Sequence, residues 1–372
     1  MMQVLASLLS IFRQFSGNIF GFLYNKNGIS AFLLLMSKIK FWYDAARPQS
    51  LPQSVTPSLV GICLAFASGG GVWWAAVIGV VGVVAAHLSV NLLDDYFDYR
   101  NAGIESREQL VRAGMRARIG KAQYLADGQA SLRQTFIVAM VLAAVAVAIG
   151  GVLTWYRGWP IVVFAAIGAF LGYFYSAPPF KLCYHGLGEL ITGLMFGPLL
   201  IPGIHFAVCG HLGWPVWIVS VALGMLVTNI LYTHSVLDRK ADLSVGKKTL
   251  AGLIEPDGTE HRKSLVAVSD VMCLLPFVMV SVAAGLGLVS PWMLTVLLLL
   301  PLAVGLLRSI RQSVYSPDSE VSRQWWMGPM EQWKGIQEAG IDWFMLRWYL
   351  ARNLLTGFAL IVCIVSIITS LV

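Results

Sequence analysis

The groups best equipped for chemistry in this 372-residue chain are carboxylates gathered in two short runs. The first is Asn91-Leu-Leu-Asp94-Asp95-Tyr-Phe-Asp98, and the second is Asp238-Arg-Lys-Ala-Asp242. On a helix Asn91, Asp95 and Asp98 stand at i, i+4 and i+7 and share one face, with Asp94 at its edge. Asp238 and Asp242 are again i and i+4. Like charges at that spacing repel, and beside an apolar stretch they are also poorly solvated. A cation relieves both costs. Mg²⁺ suits such sites because it takes carboxylate oxygens, keeps some waters and completes its shell with phosphate oxygens. No His or Cys lies within either run, which argues against zinc or iron. One run alone would read as ordinary helix-end residues; two at matching positions favour a shared cation site.

The elements that must position these runs are membrane helices. Only 12% of residues are charged, 57% are hydrophobic, and the mean hydropathy is +0.72. A soluble domain carries about 25% charged residues, so a water-soluble enzyme, a disordered chain and a nucleic-acid binder are all excluded. Apolar runs long enough for a bilayer, about 17–25 residues, fall at 51–68, 72–93, 134–154, 159–176, 189–209, 214–237, 265–288, 291–310 and 351–371. The expected fold is all-α and polytopic. It has nine transmembrane helices, as two four-helix halves plus a ninth, around a central cavity open to the cytoplasmic side. Each half supplies one acidic run, at the end of its even-numbered helix. The five cysteines (Cys63, Cys183, Cys209, Cys273, Cys363) are far apart and form neither a disulfide framework nor a zinc motif.

The charges give the orientation. With nine spans, every one of the 26 Lys and Arg except Arg157 falls on a single face. The positive-inside rule makes that face cytoplasmic and leaves the C-terminus outside. All 19 acidic residues lie on or just inside the same face. The expected setting is a bacterial-type inner membrane with the reactive groups facing the cytoplasm. Residues 1–40 read as an extension, with Met1–Tyr24 an interfacial helix, and 41–372 as one transmembrane domain. The 309–349 loop holds Trp325, Trp326, Trp333, Trp343 and Trp348. It reads as an interfacial anchor, with a gating lid as the sharper alternative.

Basic residues crowd the loops beside the acids. Arg47 precedes the first span, Arg100 to Lys121 follow the first run, Lys181 follows the fourth span, and Lys247 and Lys248 follow the second run. Topology accounts for most of them, and a subset can clamp a polyphosphate.

Together these runs resemble the UbiA superfamily of intramembrane prenyltransferases. That family has an Asn/Asp-rich motif after its second helix and a DxxxD motif after its sixth. The resemblance spans about Phe41 to Val372, apart from the Trp-rich loop. Three stretches look most like the 1,4-dihydroxy-2-naphthoate branch: Ala46-Arg47-Pro48-Gln-Ser-Leu-Pro52 with Thr56-Pro57, Gly186-Leu-Gly188-Glu189, and Gly246-Lys-Lys-Thr-Leu-Ala251. Tyr175-Ser-Ala-Pro-Pro-Phe-Lys181-Leu is more like the chlorophyll-synthase branch, and His234-Ser-Val-Leu237 replaces the Asn-Asn-x-Arg usual before Asp238.

The resemblance implies Mg²⁺-dependent transfer of a polyprenyl group from its diphosphate to a small aromatic acceptor within the lipid bilayer. No nucleic acid and no obligatory protein partner are implied. Asn91, Asp95, Asp98, Asp238 and Asp242 would hold Mg²⁺ and diphosphate, with Asp94 secondary. Arg47, Lys181 and Lys248 would clamp the diphosphate. Tyr175 would lie near the reacting centre, where a ring favours a cation; a tyrosine of the aromatic belt is the plain alternative. Glu189 would orient a basic group or the acceptor, and His234 faces the cavity if its helix runs unbroken to Asp238. Other acceptors of the superfamily are 4-hydroxybenzoate, homogentisate, chlorophyllide-like rings and glycerol phosphates. The competing class is an ion-coupled transporter, which would place ionisable groups at mid-membrane and polar groups on both faces.

Overall fold

A computed structural model of the chain describes residues 26–100, 122–244, 246, 248–256, 261–316, 319 and 322–371. The expected interfacial helix at Met1–Tyr24, the basic residues Arg107 to Lys121, and Lys247 lie outside the described residues. The chain divides into two units, Met1–Pro48 and Gln49–Val372. The first contains α1 (Lys26–Ala45), which is followed by Arg47 in the left-handed region at φ 60°. The Arg47 N–H donates to the Asp44 carbonyl at 3.2 Å.

The second unit is a helical bundle because lipid offers its backbone no partners, so each segment must satisfy its own N–H and C=O groups. It comprises α2 (Pro52–Ala67), α3 (Trp73–Arg100), α4 (Leu132–Arg157), α5 (Pro160–Phe174), α6 (Gly188–Leu194) and α7 (Leu200–Cys209). There follow α8 (Trp214–Ser244), α9 (Leu250–Ile254), α10 (Arg262–Gly285), α11 (Leu300–Tyr315), α12 (Trp333–Glu338) and α13 (Asp342–Leu371). A π turn at Met195–Leu199 joins α6 and α7 into one rod and contains Pro198, which cannot supply the N–H of a regular turn. Among the described residues, seven rods are long and apolar enough to cross a membrane: 73–100, 132–157, 188–209, 214–244, 262–285, 291–315 and 342–371. The other two expected spans form the apolar helices α2 and α5, of 16 and 15 residues. Sixteen residues rise about 24 Å, less than the roughly 30 Å hydrocarbon core.

Local chemistry sets the ends. Pro52 and Pro160 open α2 and α5 where no N–H is needed. Ser131 and Gln134 form a reciprocal capping box at α4. Arg157, the residue that charge sorting expects on the other face, donates from Nε to the Ala207 carbonyl at 3.0 Å and from a terminal nitrogen to the Val208 carbonyl. It caps the last turn of α7, where a helix end favours a cation.

α8 is the hub. It packs on α6, α10 and α13, and Leu223, Leu226, Val227, Ile230 and Tyr232 are enclosed there. The rod formed by α6 and α7 meets α8 through Gly193 and Gly197, four residues apart, against Gly224. A Cβ on Gly197 would lie 2.5 Å from both Gly224 Cα and the Ser220 carbonyl oxygen. In contrast α4 leaves Val141, Val145, Val147 and Val152 exposed, an apolar face that suits lipid. Trp73, Trp155, Trp159 and Trp214 are exposed at the helix ends away from the acidic runs, where tryptophan favours the headgroup region.

The Trp-rich loop folds back on the helices around it. Asn353 of α13 donates to the Met327 and Pro329 carbonyls at 2.9 and 3.0 Å. The Tyr349 hydroxyl donates to the Glu331 carbonyl at 2.9 Å, and Trp326 packs on Gly305, where a Cβ would not fit. The Arg352 guanidinium, 2.9 Å from Glu331, holds its carboxyl below the usual carboxylate range.

Candidate functional site

Both acidic runs lie on unbroken helix. α3 continues to Arg100 and α8 to Ser244, so the shared faces expected from the spacing are present. Asp95 is fully enclosed, and Asp94, Asp98, Asp238 and Asp242 are also buried. Five buried carboxylates at two helix ends are a strongly unfavourable arrangement unless positive charge or protons accompany them.

Above the first run lies a hydrogen-bond chain. Asn91 donates from Nδ2 to Ser50 Oγ at 2.9 Å; Ser50 Oγ is 3.2 Å from His87 Nε2, and His87 Nδ1 is 2.7 Å from Ser54 Oγ. His87 sits one turn before Asn91 on α3. This chain fixes the Asn91 amide and ties α3 to the start of α2.

The loop from Tyr175 to Gly188 holds the two runs in one assembly. On one side Ser176 Oγ donates to Asp94 Oδ1, and the Tyr184 hydroxyl donates to Asp98 Oδ1 at 2.8 Å. On the other side His185 pairs with Lys248 in a single parallel bridge. Glu189 Oε1 accepts from Ser235 Oγ and from the Leu250 N–H at 3.0 Å. Ser235 stands three residues before Asp238. The loop is closed internally by Lys181 N–H to the Ala177 carbonyl and Cys183 N–H to the Tyr175 carbonyl, each at 2.9 Å.

The expected substrate-binding residues are placed as follows. Lys181 adopts a left-handed conformation, φ 42°, between the two residues that hold Asp94 and Asp98. Lys248 is exposed on the turn after α8. The Tyr175 hydroxyl packs on Gly188, 3.2 Å from where a Cβ would stand. Glu189 is buried and turned toward α8 and the Leu250 backbone. Arg47 belongs to the first unit. His234 does share the stripe of Asp238, since α8 is regular there, and its ring lies 5.1 Å from Phe344 and 6.4 Å from Trp348 at the start of α13. Arg239, beside Asp238, is engaged elsewhere: Nε meets Glu255 at 2.8 Å, with Arg262 on the other carboxylate oxygen at 3.9 Å.

Sequence reasoning missed Ser50, Ser54, His87, Ser176, Tyr184 and Ser235. Two had a local signal: His87 stands at i−4 from Asn91, and Ser235 at i−3 from Asp238. Ser50, Ser54, Ser176 and Tyr184 stand at chain separations from the runs that no helical period encodes.

The donor set is oxygen only, carboxylates with one amide, which is the chemistry of a hard cation that keeps part of its shell for water or phosphate. Among the described residues no group of three or more His, Cys, Asp or Glu side chains is gathered closely enough to hold a metal by itself. By its donor chemistry the set fits a cation that also takes phosphate oxygens.

Comparison with known proteins agrees in fold and class. Residues 54–333 match the profile of the UbiA prenyltransferase family. The chain is 27% identical over 283 residues to a 2-carboxy-1,4-naphthoquinone phytyltransferase of Synechocystis, covering 75% of this chain and 85% of that protein. It is 26% identical over 270 residues to a 1,4-dihydroxy-2-naphthoate octaprenyltransferase of Mycobacterium tuberculosis, covering 72% and 85%. A solved structure of a UbiA homolog from Archaeoglobus fulgidus bound to GPP and Mg²⁺ superposes with a TM-score of 0.52 at 16% identity, over 87% of this chain and 99% of that one.

Proposed function

The chain belongs to the UbiA prenyltransferase family and is a membrane-embedded transferase, and from that premise we propose that it moves a polyprenyl group from its diphosphate onto 1,4-dihydroxy-2-naphthoate. The acceptor reading rests on the naphthoate relatives and on the three sequence stretches shared with that branch. The observation that carries the site is the Tyr175–Glu189 stretch, in which Ser176 and Tyr184 bond to Asp94 and Asp98, His185 pairs with Lys248, and Glu189 joins Ser235 near Asp238.

In this reading Asn91, Asp95, Asp98, Asp238 and Asp242 hold Mg²⁺ together with the donor diphosphate. When bound, Mg²⁺ supplies positive charge that makes diphosphate a better leaving group. Lys181 and Lys248 add fixed charge to the departing oxygens. The allylic C–O bond ionises, diphosphate leaves with the electron pair, and the prenyl cation alkylates the electron-rich ring. With dihydroxynaphthoate the ring also loses carbon dioxide, giving demethylmenaquinol. Tyr175 presents an aromatic face to developing positive charge, and the apolar helices keep water from the cation. The seven long rods with α2 and α5 make nine crossings of an inner membrane. The acidic face is cytoplasmic, and the C-terminus is outside. Residues 1–40 are an extension and 41–372 the catalytic domain.

The purified protein given Mg²⁺, a polyprenyl diphosphate and a panel of aromatic acceptors should yield prenylated, decarboxylated naphthalenediol by mass. Chelation should reduce turnover to background, with recovery on adding Mg²⁺. Product from 4-hydroxybenzoate or homogentisate in place of dihydroxynaphthoate would overturn the acceptor and leave the reaction class. Full turnover in excess chelator would remove the metal.

Tyr184→Phe isolates the loop's hold on the first run. Losing a hydrogen bond to a charged group costs about 1.5–3 kcal/mol, so kcat/KM for the donor should fall roughly tenfold or more. The folded yield should not change. Unaltered kinetics would show that Asp98 needs no such anchor.

A further inference from the structure

We propose that Glu189 is a positioning residue, which acts on the donor through the turn that carries Lys248. This rests on the reading of Lys248 as a diphosphate contact. Glu189 is 3% exposed, and its Oε1 accepts two hydrogen bonds from different elements. One comes from Ser235 of α8 and the other from the Leu250 N–H at the start of α9, 3.0 Å away. Leu250 is two residues beyond Lys248.

Three described neighbours of Lys248 are also tied down. His185 pairs with Lys248 through the backbone. Thr249 is buried and caps α9, its Oγ1 accepting from the Gly252 N–H at 3.2 Å. Glu255, just past α9, is held by Arg239. The Lys248 side chain itself is exposed. A flexible ammonium stem gains most as a phosphate clamp when its backbone is already fixed, because less freedom is lost on binding. Glu189 supplies the bond that ties this turn to α8, three residues from Asp238. Its carboxylate is thus spent on protein donors, so its effect on the donor is indirect.

The test is a kinetic cycle on the full-length protein in detergent, with polyprenyl diphosphate varied at saturating acceptor and Mg²⁺. Glu189→Ala should raise KM for the diphosphate about 10–100-fold, the scale of one charge-assisted phosphate contact, and change kcat by less than about threefold. Glu189→Gln keeps a carbonyl oxygen at Oε1 and should stay within about threefold of the parent in both constants. Glu189→Ala combined with Lys248→Met should be no worse than Lys248→Met alone, because both remove one interaction.

Independent, multiplying effects would overturn the proposal, as would a Glu189→Gln variant as impaired as Glu189→Ala. A Lys248→Met variant with unchanged donor KM would overturn both this proposal and the clamp beneath it, whereas a multiplying cycle sinks this proposal alone. If Glu189→Ala does not fold, Ser235→Ala removes one of the two donors to Oε1. It should raise KM about threefold, an effect that vanishes in the Lys248→Met background; persistence of the effect there would likewise overturn the proposal.

Discussion

Asp95→Ala and Asp238→Ala should each lower prenyl transfer by about 10³-fold or more while leaving the protein folded and inserted. Removing a single preorganised group that stabilises developing charge costs about 10²–10³-fold, and these positions anchor the two halves of the proposed diphosphate site. The effect on stability should run the other way. Asp95 is fully enclosed and shares its helix face with Asp98, so removing its carboxylate lifts a desolvation cost and a like-charge repulsion. The apparent Tm of Asp95→Ala in chelator should therefore equal or exceed that of the parent. Asp94→Ala gives the contrast. Its carboxylate accepts from buried Ser176, so its loss leaves that hydroxyl only the weak Cys183 thiol at 3.5 Å and should lower Tm, with a smaller loss of turnover. Turnover and thermal unfolding measured on the same purified samples decide the matter. Near-normal activity in Asp95→Ala or Asp238→Ala would remove the metal–diphosphate assignment.

Gly197→Leu should prevent the fold from closing. A Cβ at this position meets backbone on two sides, Gly224 Cα and the Ser220 carbonyl oxygen, each at 2.5 Å. Backbone cannot rotate aside as a side chain can. Gly193 and Gly224 are equally constrained, with 2.6 Å from a Gly193 Cβ to the Gly224 carbonyl oxygen and 2.7 Å for the reverse pair. Overpacking a core ordinarily costs about 1–3 kcal/mol, and this contact should reach or pass the upper end. Small residues let membrane helices approach closely, and the packing so gained replaces the hydrophobic drive that lipid removes. Folded, monodisperse yield should collapse, and any surviving protein should show a Tm several degrees lower. Gly150→Ala is the control: nothing lies within 4 Å of a Cβ there, so Tm should hold or rise slightly. Equal behaviour of the two variants would show that the α6–α8 approach does not depend on glycine.

Much of the fold was legible because lipid leaves a chain few choices. Seven of the nine apolar runs became rods of membrane length, and the runs at 51–68 and 159–176 became shorter apolar helices. The runs at 51–68 and 159–176 begin within one residue of Pro52 and Pro160, which open α2 and α5. The roles of individual charges were less legible. Arg157 reads in sequence as an exception to charge sorting, and in three dimensions it caps α7. Arg239 reads as a neighbour of Asp238, yet it pairs with Glu255 sixteen residues on.

The sequence by itself determined the two acidic stripes, because the helical period places Asn91, Asp95 and Asp98, and again Asp238 and Asp242, on common faces whatever the rest of the chain does. Tertiary structure alone decided how those carboxylates differ. Asp94 and Asp98 receive hydroxyls from Ser176 and Tyr184, more than 80 residues away, and Glu189 is drawn to Ser235 and Leu250. Spacing along one helix fixes which side chains share a face. What those side chains meet depends on how separate helices pack and on where one loop lies between them, and no local pattern records that.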